Sequence, residues 1–303
     1  MNDLIEHLTD SKVKRNLTTM MTVRQSARNL LLSKGFDEID TPILMPRTGE
    51  SYNSTFDILL EESEAMLADS PQIFKMLLIK AGYEKYFQFA HCFRSITNEN
   101  KLNTRLSEFV QLDLELRDTD LENLIQLAEA IIFEICAALH KTVKTSYMQG
   151  IDCRLKYGGE MCPDLRKSKD EILLVIIKNV PLTNDGKTPC HHIFAQPSVT
   201  DFVSAAEKLT ELTTESFDII MNGIEIGGGD MRIDDCELQK EVMRLFNVDE
   251  KRYANYLNIL KKVDKSRSGG FAIGLERMVM ALTNSENISQ AVAFPKYYRR
   301  GVN

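Results

Sequence analysis

The sequence has no run of about eighteen apolar side chains, so it offers no helix able to span a bilayer. It opens on MNDLIEHLTDSKVKRN, which is polar and has no apolar signal segment, and this predicts a cytoplasmic location. Six cysteines lie at Cys92, Cys136, Cys153, Cys162, Cys190 and Cys236, and no two make a C-x-x-C pair. Zinc-ribbon spacing is therefore absent, and in a cytosolic chain of this length the cysteines read as reduced thiols rather than a disulfide framework. A G-x-x-x-x-G-K-[ST] loop, a dinucleotide-type G-x-G-x-x-G and an H-E-x-x-H pair are also missing, which removes three common nucleotide and metal sites. Positive charge is in short supply. Lys and Arg number 37 against 44 Asp and Glu, a net of −7, which disfavours a whole surface gripping nucleic acid while leaving room for a local basic patch.

What is present is ordinary for a globular protein: 43% hydrophobic and 27% charged residues over 303 positions, enough to bury a large core. The spacing of Val13, Leu17, Met20, Ala27 and Leu31 predicts a helix over 11–34, ended by Gly35. A short extended piece, 36–44, follows and is broken by Pro42. A helix is expected over 71–81. Strands are expected over 86–94 and 108–116, where apolar and polar residues alternate, joined by a polar loop as an antiparallel hairpin. Leu121, Leu124, Ile125, Ala128, Ile131, Ile132 and Ile135 predict a helix over 120–141. Residues 150–190 hold Gly158-Gly159, Pro163, Pro181 and Asn184-Asp-Gly186 and read as a linker or small insertion. Strand character returns at 216–233, interrupted by Gly227-Gly228-Gly229. A helical stretch, 235–263, and a strand, turn and helix over 269–282 close the pattern. Antiparallel strands with helices around them imply an α+β fold.

Three strand segments each gather polar residues on one face. Gln88 and Arg94 come from the first, and Gln111, Asp113 and Glu115 from the second. Asp218, Glu225 and Arg232 flank the glycine run of the third, and Arg277 lies just inside the last helix. An antiparallel sheet with one wet face gives such a pattern by itself. The combination says more. Glycines inside a strand let a ligand or a backbone come close. Carboxylates are hard ligands for magnesium, and arginine grips phosphate with a planar fork.

These residues fall within longer segments that resemble the catalytic core of class II aminoacyl-tRNA synthetases, and among them the bacterial-type aspartyl-tRNA synthetases. The segments are GFDEIDTPIL (35–44) with TGE (48–50); SPQIFK (70–75), YFQFAHCFR (86–94) and EFVQLD (108–113); His191-His192; NGIEIGGG (222–229) with MRI (231–233); GGFAIGLER (269–277); and AFPK (293–296). The resemblance runs from about residue 13 to 297. It implies a single class II core domain over 1–303, an antiparallel sheet flanked by helices, with 150–190 as the remnant of an insertion region. It also implies a homodimer joined through 11–44, where self-complementary contact suits a two-fold axis.

The family's residue roles carry over as implications. Arg94 would hold the α-phosphate of ATP and the amino-acid carboxylate, Arg277 the γ-phosphate, and Asp218 and Glu225 a magnesium ion, with Glu225 also at the ATP site. Lys75 and Arg232 would bind a side-chain carboxylate and so specify L-aspartate, since leaving a buried cation unpaired is costly. Ser70, Gln72 and Asp113 would take the α-amino end, Glu50 would lie on a closing loop, and His191 and His192 would line the pocket. The implied chemistry is attack of a carboxylate on the α-phosphorus, giving aminoacyl-adenylate and pyrophosphate.

The sequence also departs from the family. It leaves no room for an anticodon-binding OB-fold before the first segment, and only a short stretch, 165–190, stands where bacterial relatives carry a large inserted domain. Ile96 replaces an acidic residue that helps seat adenine, the 95–106 loop is unlike the usual one, and Asp230 follows the glycines where a small residue such as Ser is expected. The reading that follows is an ATP-dependent aspartate-activating ligase passing aspartate to ammonia, a metabolite or a protein. Its alternatives are a compact aspartate–tRNA ligase acting through the acceptor stem, and a catalytically silent regulatory paralogue. Whether tRNA is a partner stays open at this point.

Overall fold

A computed structural model describes residues 2–46, 55–59, 64–95, 103–159, 161–199, 206–262 and 266–295. Helices α1 (Asn2–Thr9) and α2 (Ser11–Ser33) open the chain. Asp10 caps α2, its carboxylate accepting from the N–H groups of Lys12 and Val13 at 2.6 and 3.1 Å, as the first turn's orphan donors require. Gly35, with φ +76°, turns the chain out of the helix. The α2 helix and the α4 helix (Leu121–Ala138) cover one face of an eight-stranded sheet.

That sheet runs in the order β1 (Asp37–Glu38), β5 (Lys85–Phe93), β6 (Glu108–Arg117), β11 (Ser268–Gly274), β10 (Ile224–Met231), β9 (Ser216–Met221), β8 (Ile172–Lys178), β7 (Val143–Gln149). The expected α+β class holds, but the sheet is mixed: β1 pairs with β5, and β7 with β8, in parallel. A second sheet of β2 (Leu44–Pro46), β4 (Glu64–Leu67) and β3 (Asp57–Leu59) sits beside it.

The β5–β6 hairpin explains how two faces are made. Phe87, Phe89, Leu112 and Leu114 point into a core with Val23, Ala27 and Leu31 of α2 and the apolar stripe of α4. Seven residues of α4 are buried there, and each buried Leu or Ile contributes roughly 1.5–3 kcal/mol. Truncating one, as in Ile131→Ala, would cost about 2–5 kcal/mol. The opposite parity faces a smaller layer built from α3 (Gln72–Lys80), α6 (Cys236–Leu245) and α7 (Ala254–Lys262), with Met76, Phe194, Val242, Tyr253 and Tyr256 at its centre.

Two expectations fail locally. The 150–190 stretch is not a structureless linker: it holds α5 (Gly150–Tyr157) and the whole of β8. Ile172 to Ile177 is one continuous buried apolar run, so it carries no alternation to mark it as a strand. The glycine run does not interrupt the 216–233 segment either. The break is at Asn222-Gly223, both at positive φ (+55° and +78°), a two-residue hairpin turn between β9 and β10. Helix α8 (Leu275–Thr283) follows β11 directly.

Candidate functional site

Strand register lays out the floor of the site. Residues paired across neighbouring strands share a face. One row reads Gln88, Asp113, Ala272, Gly228, Asp218 across β5, β6, β11, β10 and β9. The next reads Tyr86, Glu115, Gly270, Asp230, Ser216. Small residues at the centre of both rows leave a trough between acidic walls. A side chain at Gly270 is excluded, because its Cβ would lie 2.1 Å from Glu115 Oε2 and 2.2 Å from the Leu114 carbonyl. At Gly227 and Gly229 the obstacle is β11 itself, at 2.0 Å from Ala272 O and 2.3 Å from Phe271 Cβ. These glycines therefore serve close strand approach as well as an open floor.

Above this floor lies a cavity of about 670 Å³, within the usual range for a small-molecule site. Ser70, Gln72 and Lys75 reach it from the start of α3, and Arg94 from the end of β5. Asp113, Asp218, Glu225 and Asp230 come from the strands, Arg232 from just past β10, and His191 and His192 from the segment between β8 and β9.

One end of the cavity is a dense buried ion cluster. Lys75 Nζ donates to Asp113 Oδ1 at 2.6 Å and lies 3.5 Å from Glu115 Oε2. Arg232 donates from Nε and Nη2 to the two oxygens of Glu115, both at 2.8 Å, and from Nη1 to Asp230. The second Asp230 oxygen is 3.1 Å from His192 Nε2 and 3.6 Å from His191 Nδ1, while His191 Nε2 bonds Asp218 at 2.9 Å. Burial alone would raise the Asp230 carboxyl, but Arg232 and the two histidines hold it well below the usual carboxylate range. Burial would push His191 down, and Asp218 and Asp230 overrule it and lift the imidazole to about 10. The buried Gln72 Nε2 has no hydrogen-bond partner among the described residues, although Gln72 lines the cavity.

The other end is more open. Arg94 points two donors at the Asp69 carbonyl, at 3.3 and 3.2 Å, and its guanidinium stands 5.5 Å from the Phe109 ring centre. Arg277 does not line the cavity but adjoins it: Nη1 donates to the Glu225 carbonyl at 2.9 Å and lies 3.7 Å from the Glu225 carboxylate, and Nε donates to Thr104 O. Asp218 and Glu225 do not form a closed metal cage, and no group of three or more His, Cys, Asp or Glu that could hold a metal occurs among the described residues. Two carboxylates lining the cavity nevertheless fit magnesium, which keeps several waters and binds one or two protein carboxylates together with substrate phosphates.

Ten of the sequence-predicted residues thus converge on one cavity, and Arg277 stands at its edge. Glu50 and Ile96 lie outside the described residues, as do 97–102 of the altered loop and Lys296. The sequence reading gave no role to Glu115, although its alternation with Asp113 had already put it on the right face. It noted Asp230 only as an oddity, whereas the fold makes that carboxylate a partner of Arg232.

Comparison with known proteins agrees with this geometry. The family model described as tRNA synthetases class II (D, K and N) matches residues 2–298. The chain belongs to this family. It is 24% identical to an aspartate–tRNA(Asp/Asn) ligase of a Sulfurovum species, covering 89% of this chain and 69% of that protein, and 24% identical to one of Archaeoglobus fulgidus, covering 90% and 66%. The first alignment runs over 413 positions, more than this chain possesses, so that bacterial relative carries inserted residues without counterpart here; the archaeal one runs over 289. Among solved structures, asparaginyl-tRNA synthetase of Pyrococcus horikoshii complexed with asparaginyl-adenylate superposes with a TM-score of 0.79 at 20% identity, covering 96% of this chain and 70% of that one. The Entamoeba histolytica asparaginyl-tRNA synthetase gives 0.77 at 19%, over 95% and 68%. These likenesses confirm the class II synthetase core fold. Among the described residues, no helix is long and apolar enough to cross a membrane.

Proposed function

We propose that this class II synthetase core, a single domain over 1–303, uses ATP to activate L-aspartate, forming aspartyl-adenylate and releasing pyrophosphate. The observation that carries the reading is that one cavity joins two chemically different ends. Lys75 and Arg232 stand in the buried ion cluster at one, and Arg94 and Glu225 at the other, with Arg277 alongside and Asp218 bonded to His191 on the cluster side. An amino acid lying between them would place its α-carboxylate at Arg94, where the attack on the α-phosphorus occurs. Phosphoryl chemistry of this kind needs positioning and charge neutralisation more than a protein base. Arg94 would neutralise the α-phosphate and Arg277 the γ-phosphate. Asp218 and Glu225 would hold magnesium, which supplies charge neutralisation on the phosphates when bound. Ser70, Gln72 and Asp113 would orient the amino-acid backbone; the unpartnered Gln72 amide supports that role.

An aspartyl acceptor other than conventionally read tRNA fits a chain with no counterpart to the residues inserted in the bacterial relative. A second reading, transfer to a tRNA acceptor stem, is favoured by the names of the relatives. A silent paralogue is the weakest of the three, because the cavity is open and its charged residues are in place.

The test is aspartate-dependent exchange of labelled pyrophosphate into ATP without tRNA, with asparagine and glutamate as controls. Exchange is expected with aspartate, and its absence with every amino acid would overturn the reading. Labelled aspartate offered with tRNA, or with ammonia and small amines, then separates the acceptors.

A further inference from the structure

The cation pair at the closed end of the cavity does not wait for a substrate carboxylate. Lys75 and Arg232 face three buried carboxylates, Asp113, Glu115 and Asp230. Two buried cations require an anionic ligand only where they are otherwise unpaired, and Lys75 and Arg232 are paired. An arginine has five N–H donors. Glu115 takes the edge formed by Nε and Nη2, with both its oxygens at 2.8 Å. The remaining edge is formed by Nη1 and Nη2, and Nη1 already donates to Asp230. A ligand group reaching Arg232 on that edge therefore arrives beside a fixed carboxylate.

The histidines pack against that carboxylate. Phe194 N–H donates to His192 Nδ1 at 3.3 Å, which turns Nε2 toward Asp230 Oδ2, 3.1 Å away, and Arg232 Nη1, 3.0 Å away. His191 lies on the same oxygen at 3.6 Å and is itself pinned by Asp218. Asp230 is 1% exposed, so water does not screen it.

We propose that Asp230 is a specificity-determining residue: a resident anion on Arg232 that lowers the pocket's preference for a side-chain carboxylate and lets it accept a carboxamide. A second carboxylate on Arg232 meets a like charge at close range, which is costly in a dry site. A carboxamide gives its carbonyl oxygen to the cations and its N–H to Asp230. This rests on the reading that the cavity takes an amino acid with its side chain toward Lys75 and Arg232. It broadens that reading from aspartate alone to aspartate with weakened discrimination against asparagine.

The experiment measures calorimetric Kd values of L-aspartate and L-asparagine for the full chain and for Asp230→Ser and Asp230→Asn. The isosteric Asn variant guards against a folding defect in the Ser variant, and melting temperatures are recorded for each. Removing the resident charge is expected to raise the aspartate-over-asparagine ratio by roughly ten- to hundredfold, mostly through tighter aspartate binding. A ratio unchanged within about twofold in both variants, or no binding of either amino acid to any of the three proteins, overturns the assignment. Pyrophosphate exchange by the unaltered chain is run separately. Its absence, with the binding ratio shifting as expected, would sink the adenylation reading and leave the role of Asp230 standing.

Discussion

Glu115 and Arg232, 117 positions apart in the chain, meet in a two-pronged ion pair with both contacts at 2.8 Å and neither side chain more than 3% exposed. The pair joins β6 to the segment leaving β10, across a glycine that admits no side chain. It thus fixes the position of the cation at the closed end of the cavity.

Breaking that pair from one side should be expensive. Glu115→Gln leaves a buried guanidinium with Asp230 as its remaining carboxylate, and losing one partner of a buried pair costs about 3–5 kcal/mol. Urea unfolding is expected to show a loss of that order with an unchanged m-value. Pyrophosphate exchange should fall with it, since Arg232 loses its orientation. A variant as stable as the parent would mean the pair contributes nothing net.

At the open end the two arginines should separate kinetically. Arg94 lines the cavity, whereas Arg277 adjoins it through its contact with Glu225. Arg94→Ala is expected to lower exchange by about 10²–10³, the scale for losing one donor to developing charge. Arg277→Ala should act mainly through the KM for ATP, as removal of ground-state binding does. Neither change is expected to alter the far-ultraviolet circular dichroism. Equal, small effects of both would contradict the assigned placement of the phosphates.

Much of this was legible beforehand, for identifiable reasons. Alternation in 108–116 told the faces of β6 apart because one face is packed and the other lines the cavity, and Asp113 and Glu115 followed from it. Buried strands such as β8, apolar on both faces, carry no such signal, so Ile172–Lys178 read as part of a linker. The Asn222-Gly223 turn was visible as a dipeptide but was overshadowed by the glycine run five residues on. Counter-ions were the least legible. The bond from Arg232 to Glu115 depends on how β6, β11 and β10 stack, which no local pattern contains. Counting cations without their partners therefore overstated the positive charge of the pocket.

Glu276 makes a pH prediction. Its carboxyl is 5% exposed and accepts from Val110 N–H with both oxygens at 3.1 Å, tying α8 to β6. Burial pushes its pKa up to about 7 from the ordinary 4.5, against the pull of the backbone N–H groups. The folded chain therefore keeps a proton that the unfolded chain has released. The associated stability is complete below about 4.5 and is lost as pH rises through about 7. Glu276→Gln, neutral at every pH, should match the parent near the acidic end of this window and exceed it above the upper end by at most about 3 kcal/mol. Urea midpoints on both sides of the window test this, and parallel curves for the two proteins would count against it.

The edge of the molecule around α2 and β2 predicts assembly. On α2, Met21 and Leu32 are 71% and 50% exposed, and at the start of β2, Ile43 and Leu44 are 45% and 49% exposed. Beside them, Ile39, Pro42, Phe74 and Leu77 line an apolar groove of about 310 Å³. Exposed apolar side chains beside an apolar groove are expected to be covered when two copies associate. A two-fold axis through this segment covers the same patch on both copies, because an isologous interface is self-complementary. Light scattering on the eluting protein should give twice the 34.5 kDa of one chain. Ile43→Asp places a charge in both copies at once and should shift the equilibrium toward monomer. The β1–β5 pairing and the Thr41–Gln88 hydrogen bonds at 2.8 and 2.9 Å anchor the strand that leads into Ile43, so the substitution should act on association rather than on the fold. A chain that elutes as monomer at micromolar concentration without the substitution would instead assign this apolar edge to another partner.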